Sequence, residues 1–260
     1  MPNFYTHLYF ARQVAHRVSP ELQNRLREEW DSFQIGNFGP DPLYFGSSDL
    51  RHAGLKLHHG TGAQALEVYR RAMELDKPYA ISFAAGYFLH HFLDSRMHPL
   101  VYRAMEKTDL THRSLEGELD RLLMERDGIS SKEAFPNRSM PETFYMMAAR
   151  MAPGVTPEEF RNSLKNFRRV SMALTGFTGT PVRYAVNAAS HIPGALGMRG
   201  AVLSKTPAGN IGPYLQEMDK ILEQTELAAP EALEQFLLKA TTGREFDSML
   251  SCDFSGKRDV

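Results

Sequence analysis

Residues 79–98 read YAISFAAGYFLHHFLDSRMH, and their first half is the longest apolar stretch of the chain. Pro78 stands immediately before them, and a proline is well tolerated at the first position of a helix. A helix that is apolar on all sides packs in the interior of a domain. We therefore predict a central, buried helix over residues 79–95, which ends before Pro99 because proline interrupts the helical hydrogen bonds.

The rest of the chain also has the apolar spacing of helices, and no segment shows the alternation of a strand. Helices are predicted at residues 4–18, 63–75, 141–151, 157–175, 181–190, 213–227 and 231–241, and two more begin at Pro20 and near Thr111. Glycines and prolines punctuate residues 34–62 and glycines recur in 194–212, so both segments are predicted to be loops. The predicted fold class is all-α, a single multi-helix domain over 1–243 with an irregular C-terminal tail over 244–260.

The composition is that of a soluble globular protein. Thirty basic and 31 acidic residues leave a net charge of -1, so nothing indicates broad electrostatic binding to nucleic acid. The single cysteine, Cys252, excludes an intramolecular disulfide framework and a cysteine-based zinc site. The first residues lack the pattern of a secretory signal, and no apolar run reaches the roughly 20 residues needed to span a bilayer. We predict a cytoplasmic protein.

Histidines are concentrated in the first part of the chain, where nine of the ten lie between His7 and His112. His90 and Asp94 are four residues apart, which places both on one face of a helix, and His112 and Glu116 repeat that spacing. Imidazole and carboxylate are the natural ligands of zinc when no thiolate is available. A carboxylate buried in an apolar helix needs a cation or a hydrogen-bonded partner. A zinc site and a metal-free His–Asp hydrogen bond both remain open.

Further candidate ligands lie at helix ends and in the predicted loop. His98 follows Asp94 by four residues, and His7 lies on the inward-facing stripe of the first helix. Asp41 is by itself typical of a turn residue. The neighbouring pair His58 and His59 is by itself typical of exposed loop histidines.

Taken together, these motifs resemble in order and rough spacing the bacterial zinc-dependent phospholipase C family, most closely its cytosolic branch of phospholipase C/D domain proteins. The motifs are Thr6-His7-Leu8, Gly39-Pro40-Asp41, Leu57-His58-His59, LHHFLDSRMHP over residues 89–99, and His112-Arg113-Ser114-Leu115-Glu116. The resemblance covers residues 1–125. It implies an all-helical domain of the type that phospholipases C share with zinc nucleases, holding three zinc ions.

The resemblance also implies which residues hold each ion. The first zinc would take Asp41, His58 or His59, His90 and Asp94. The second would take His98, His112 and Glu116, and the third His7 with Asp94 as a bridge. Secreted relatives complete the third site with a tryptophan as their mature first residue, whereas the one tryptophan of this chain is Trp30. We therefore expect two or three zinc ions.

The expected chemistry is hydrolysis of a phosphodiester. Zinc lowers the pKa of bound water to about 7 and so supplies a metal-bound hydroxide at neutral pH. Asp41 is the candidate catalytic residue, which orients or deprotonates the water. The function expected is that of a zinc-dependent phosphodiesterase acting on phospholipid-like substrates. A single-strand nuclease or nucleotidase on the same scaffold, and a non-catalytic helical protein with structural zinc, are the alternatives.

The sequence says less about partners. Choline-specific relatives carry an aromatic residue where Pro42 follows Asp41 here, so the lipid head group is not implied. A cationic set lies on one side of the helix at 157–175, and it is either a solvated face or a surface for transient contact with membrane phosphates. Its members are Arg161, Lys165, Arg168 and Arg169. Nucleic acid is not an expected partner.

Overall fold

The computed structural model describes residues 4–75, 77–130, 133, 135, 136, 139–176, 210–246 and 250–258. Its α-helices are α1 Phe4–Ala15, α2 Pro20–Glu28, α3 Trp30–Gly36, α4 Ser48–His59, α5 Gly62–Leu75, α6 Lys77–Lys107, α7 His112–Asp127, α8 Glu142–Ala148, α9 Pro157–Gly176 and α10 Gly212–Thr242. Short 3-10 helices lie at Asp41–Phe45 and Ala149–Met151. Within these residues no strand occurs, and the all-α prediction is confirmed.

Helix α6 is the central element, as predicted from its apolar sequence. It packs against α3, α5 and α10. The close approach of α3 depends on glycine, because a Cβ atom at Gly36 would lie 2.2 Å from the carbonyl oxygen of Phe83. Likewise, a Cβ at Gly86 would lie 2.3 Å from the carbonyl oxygen of Phe33. The two backbones therefore meet directly, and this contact fixes the chain that enters the 3-10 helix.

The prediction that this helix ends before Pro99 was wrong. Helix α6 continues through Pro99 to Lys107. A proline inside a helix removes one backbone donor, here the partner of the Ser95 carbonyl. The backbone of Gly256, from the C-terminal tail, packs against that carbonyl, since a Cβ at Gly256 would lie 2.4 Å from its oxygen. A segment that is distant in the sequence thus packs directly against α6 at its proline.

The prediction of a loop over residues 34–62 was also wrong. The segment contains the 3-10 helix and α4, whose N-terminal cap Ser47 accepts a hydrogen bond from the backbone of Leu50. Gly54 is tolerated inside α4 because the helix lies close to the 3-10 helix. A Cβ at Gly54 would be 3.2 Å from the Cβ of Leu43.

Other boundaries differ less. The helices predicted at 63–75 and 157–175 are observed at Gly62–Leu75 and Pro157–Gly176. The pair predicted at 213–227 and 231–241 is a single helix, α10, with Pro230 in its interior. The predicted helix 181–190 and nearly all of the predicted loop 194–212 lie outside the described residues.

Candidate metal centre

Asp94 lies at the middle of a buried cluster of histidines. Its Oδ1 is 3.2 Å from Nε2 of His7 on α1 and 3.7 Å from Nε2 of His98. Its Oδ2 is 3.2 Å from Nε2 of His90, one helical turn earlier on α6. All four side chains are buried. The i, i+4 spacing along α6 and the inward face of α1 therefore bring three imidazoles to one carboxylate.

A second group forms where α7 begins. Oε1 of Glu116 is 2.7 Å from Nε2 of His112 and 3.3 Å from Nε2 of His98. The start of α7 is fixed by a capping box, in which Thr111 and Ser114 each hydrogen-bond the backbone N–H of the other. His98, His112 and Glu116 form one group whose ligand atoms lie within 4.8 Å of one another.

The third group joins the 3-10 helix to α4 and α6. Nε2 of His58 is 3.2 Å from Oδ1 of Asp41, and with His90 these residues form a further set of ligand atoms within 4.8 Å. Gly39 is required beside them for two reasons. Its φ is +53°, and a Cβ there would lie 2.4 Å from the His90 ring. His90 belongs to two of the groups, and His98 joins the remaining one through its 3.7 Å contact with Asp94, so the three groups form one continuous centre.

The structure distinguishes the two neighbouring loop histidines. His58 points into the centre, whereas His59 is exposed and belongs to none of the groups found among the described residues. His91 is buried, but its Nε2 donates to the carbonyl of Cys252 at 2.9 Å. Eight of the nine predicted ligands therefore come together, and His59 does not.

Backbone carbonyls orient three of these imidazoles. Nδ1 of His90 lies 3.0 Å from the Asn37 carbonyl, and Nδ1 of His58 lies 3.1 Å from the Gly54 carbonyl. Nδ1 of His98 lies 2.7 Å from the Phe254 carbonyl. A carbonyl only accepts, so each Nδ1 carries the hydrogen and the lone pair of the neutral ring sits on Nε2. Such second partners are the usual way in which proteins orient histidine ligands of metals.

This arrangement fits a cation. In each neutral ring the lone pair of Nε2 faces a carboxylate, which is also an acceptor, so the pair needs a shared proton or a metal ion between them. Nε2 of His90 illustrates this, because it is 3.2 Å from Asp94 yet makes no hydrogen bond. Ligand atoms of one tetrahedral zinc lie roughly 3.3 Å apart, given zinc–ligand distances of about 2.0–2.1 Å. The imidazole–carboxylate separations in the centre range from 2.7 Å, for His112 and Glu116, to 3.7 Å, for His98 and Asp94, and bracket that spacing.

The pKa values of Asp94, Glu116 and His98 show how strongly the charges of the centre act on one another. Burial alone would raise the pKa of Asp94, but the charges of His98, His90 and His7 hold it well below its ordinary value. Burial would also raise the pKa of Glu116, and His112 nevertheless keeps it well below its ordinary value. Conversely, burial would lower the pKa of His98, but Asp94 and Glu116 raise it to about 9. The ionised carboxylates of Asp94 and Glu116 therefore give the buried centre negative charge that a metal cation would neutralise.

Three features of this centre were missed from the sequence. Asp120, one turn after Glu116, accepts hydrogen bonds from the backbone N–H groups of Tyr5 and Thr6 and so holds the start of α1. Its i, i+4 spacing from Glu116 was the available signal. Burial lowers the pKa of Arg113, and the nearby charges of Glu116 and Asp41 only partly offset that effect. The carbonyl of Phe254 gives no sequence signal.

The buried centre of this all-helical domain offers imidazole and carboxylate ligands, which are the ligand types of zinc sites without cysteine. The chain matches the family model described as zinc dependent phospholipase C over residues 6–164. It therefore belongs to the zinc-dependent phospholipase C family, and its class of activity is that of a zinc-dependent hydrolase. Searches of the curated proteins and of the solved structures returned no significant match.

Proposed function

We propose that this protein is a phosphodiesterase that hydrolyses phospholipid-like substrates at a centre of two or three zinc ions. The observation that carries the proposal is the set of imidazole–carboxylate pairs around Asp94, Glu116 and Asp41, each with Nε2 directed at a carboxylate. The ligands would be His7, Asp41, His58, His90, Asp94, His98, His112 and Glu116. Zinc would polarise the phosphodiester and would lower the pKa of bound water, so that hydroxide is available as the nucleophile at neutral pH.

Asp41 is the proposed catalytic residue. It sits at the start of a rigid 3-10 helix, and His58 holds its carboxylate at 3.2 Å. Burial alone would raise its pKa. The hydrogen bond with His58 and the charge of His90 outweigh that effect and hold the pKa below its ordinary value, so the carboxylate is ionised at neutral pH. An ionised carboxylate at this position would orient a water molecule by accepting a hydrogen bond from it.

The alternative substrates are single-stranded nucleic acid or nucleotides. The net charge of -1 gives little electrostatic attraction for a polynucleotide. The cationic set of α9 is also partly engaged within the protein, since Arg161 pairs with Glu142 and lies over the ring of Tyr145. Transient contact of this set with membrane phosphates, and a cytoplasmic location, stay predictions. No helix among the described residues has the length and apolarity needed to cross a membrane.

Zinc content and substrate choice test the proposal together. We expect elemental analysis of the purified chain to give two or three zinc ions, and dialysis against a chelator to remove activity that added zinc restores. Parallel assays would compare mixed phospholipid micelles, a chromogenic phosphodiester and single-stranded DNA. Faster hydrolysis of DNA than of phospholipid would favour the nuclease alternative. Zinc that is present without any hydrolysis would favour a structural role, and a chain without zinc would contradict the proposal.

A further inference from the structure

The C-terminal tail contacts the metal centre at several points, although it lies outside the residues that match the family model. Its last described part, which we call the C-terminal turn, is Cys252–Arg258. An antiparallel bridge joins the two ends of this turn. Between them, the carboxylate of Asp253 accepts from the backbone of Ser255 and Lys257, both at 2.9 Å. The turn is therefore ordered by its own hydrogen bonds.

Phe254 is the residue of the turn that reaches the centre. Its carbonyl lies 2.7 Å from Nδ1 of His98, the shortest of the three carbonyl contacts that orient the imidazoles. Its ring is 4.9 Å from the ring of His58 and 5.7 Å from that of His90. Its backbone N–H also donates to the His58 carbonyl at 3.4 Å. One buried residue thus contacts three proposed zinc ligands.

The position of the turn depends on the proline in α6. Pro99 leaves the carbonyl of Ser95 without its helical donor, and the backbone of Gly256 fits against that carbonyl and the proline ring. Gly256 has a φ of +78°, and any side chain there would overlap the Ser95 oxygen. The turn therefore packs against α6 directly beside His98.

We propose that the C-terminal turn is a positioning element of the metal centre, and that the Phe254 carbonyl fixes His98 with Nδ1–H away from the metal and Nε2 toward it. The inference rests on the proposed function, because it concerns zinc bound by His98, His112 and Glu116. Outer partners of metal-binding histidines typically contribute 10–100-fold to metal affinity. The turn would thus add to a centre whose ligands are all supplied by the first 116 residues.

Gly256→Ala is the direct test, because its added Cβ collides with Ser95 and displaces the turn. Gly154→Ala is the matched control: Gly154 has a similar φ of +83°, but a Cβ there meets nothing within 4 Å. Both variants carry the strain of alanine at positive φ, and only the first moves the Phe254 carbonyl. We expect chelator competition on the full chain to show zinc binding on the order of 10–100-fold weaker for Gly256→Ala. The control should stay within about twofold of wild type.

A second readout separates positioning from general loss of structure. In the zinc-loaded wild-type protein, the Nδ1–H of His98 should give a nitrogen-15 NMR signal protected from solvent exchange, and Gly256→Ala should lose that protection. If Gly256→Ala does not fold by circular dichroism, Asp253→Ala serves instead, since it loosens the turn at a partly exposed site. It should weaken zinc binding in the same direction by a smaller factor.

The outcomes distinguish the inference from the function on which it rests. If wild type binds zinc and the two glycine variants bind it equally well, the role of the turn is overturned while the zinc centre stands. Retention of the protected His98 signal in Gly256→Ala would overturn it as well. If wild type binds no zinc, the proposed function itself is overturned.

Discussion

Two of the three buried carboxylates of helix α7, Glu116 and Asp120, lie one turn apart and have opposite environments. Glu116 faces the imidazoles of His112 and His98, and its pKa lies well below the ordinary value. Asp120 faces N–H and O–H donors of Tyr5 and Thr6, and burial raises its pKa to about 7 although those hydrogen bonds lower it. Both side chains are almost completely inaccessible to solvent.

The difference shows how a metal carboxylate can be distinguished from a structural one in the same helix. A carboxylate that faces Nε2 atoms needs a shared proton or a metal ion between them, whereas one that accepts from backbone N–H and hydroxyl donors is already satisfied. Burial therefore does not distinguish the two kinds of carboxylate, and the criterion is the kind of group that each one faces. By this criterion Asp94, Glu116 and Asp41 belong to the metal centre, while Asp120 holds the start of α1 and with it the position of His7.

The largest expected effect is that of Asp94→Asn, which removes the carboxylate that three imidazoles share. We expect this variant to lose zinc and hydrolytic activity together, as measured by elemental analysis and a phosphodiesterase assay. Asp120→Asn is the matched control, because it neutralises an equally buried carboxylate close to the same centre. The control should retain the zinc bound by His98, His112 and Glu116, since Asp120 contacts only the start of α1 next to His7. Full zinc content and wild-type rates in Asp94→Asn would show that Asp94 is not a metal ligand and that the comparison with Asp120 is wrong.

A smaller effect is expected where two adjacent histidines differ only in direction. His58→Gln removes a ligand that faces Asp41, and we expect zinc affinity to fall on the order of 10–100-fold or more. His59→Gln changes an exposed ring and should leave zinc affinity and activity at wild-type values. Chelator competition on both proteins measures the difference. Equal losses in the two variants, or the reverse order, would show that His59 and not His58 is the ligand.

The raised pKa of Asp120 predicts that the stability of the zinc-free protein depends on pH. This pKa is about 7 in the folded chain against an ordinary value of 3.8, so the folded state binds the proton more tightly. Stability from this group is then complete below about pH 4 and is lost as the pH rises through 7. The expected loss is on the order of 1–4 kcal/mol, since one pKa unit corresponds to about 1.4 kcal/mol.

Urea unfolding at pH 5, 6 and 7 measures this slope in wild type and in Asp120→Asn. The variant should show a flatter dependence because it cannot titrate at this position. Glu226, whose pKa burial also raises to about 7, contributes in the same direction in both proteins and cancels in the comparison. Identical slopes would mean that Asp120 is ionised throughout and acts as a charged cap of α1.

Much of the fold and of the centre could be predicted from the sequence, for definite physical reasons. The apolar stretch before His90 has no polar face and so must be internal, and the i, i+4 pairs fix which residues share a helix face. The continuation of α6 through Pro99 could not be predicted, because the segment that packs against the helix there, around Gly256, is far away in the sequence. The residues alone did not show which of His58 and His59 is the ligand. The glycines of residues 34–62 indicated a loop, whereas these histidines lie on helix α4, which sets the direction of their side chains.

The smallest effect is expected for Tyr44→Phe, and it sharpens what holds an imidazole in place. The Tyr44 hydroxyl lies 3.0 Å from Nδ1 of His58, but the Gly54 carbonyl lies 3.1 Å from the same nitrogen. Burial raises the pKa of Tyr44, so its hydroxyl is a neutral phenol, and it contacts Nδ1 of His58 rather than the ligand atom Nε2. Since Gly54 still accepts the Nδ1 hydrogen without it, zinc affinity should fall by less than about threefold. A loss as large as that of His58→Gln in the same chelator competition would show that the tyrosine, and not the backbone of α4, fixes this ring.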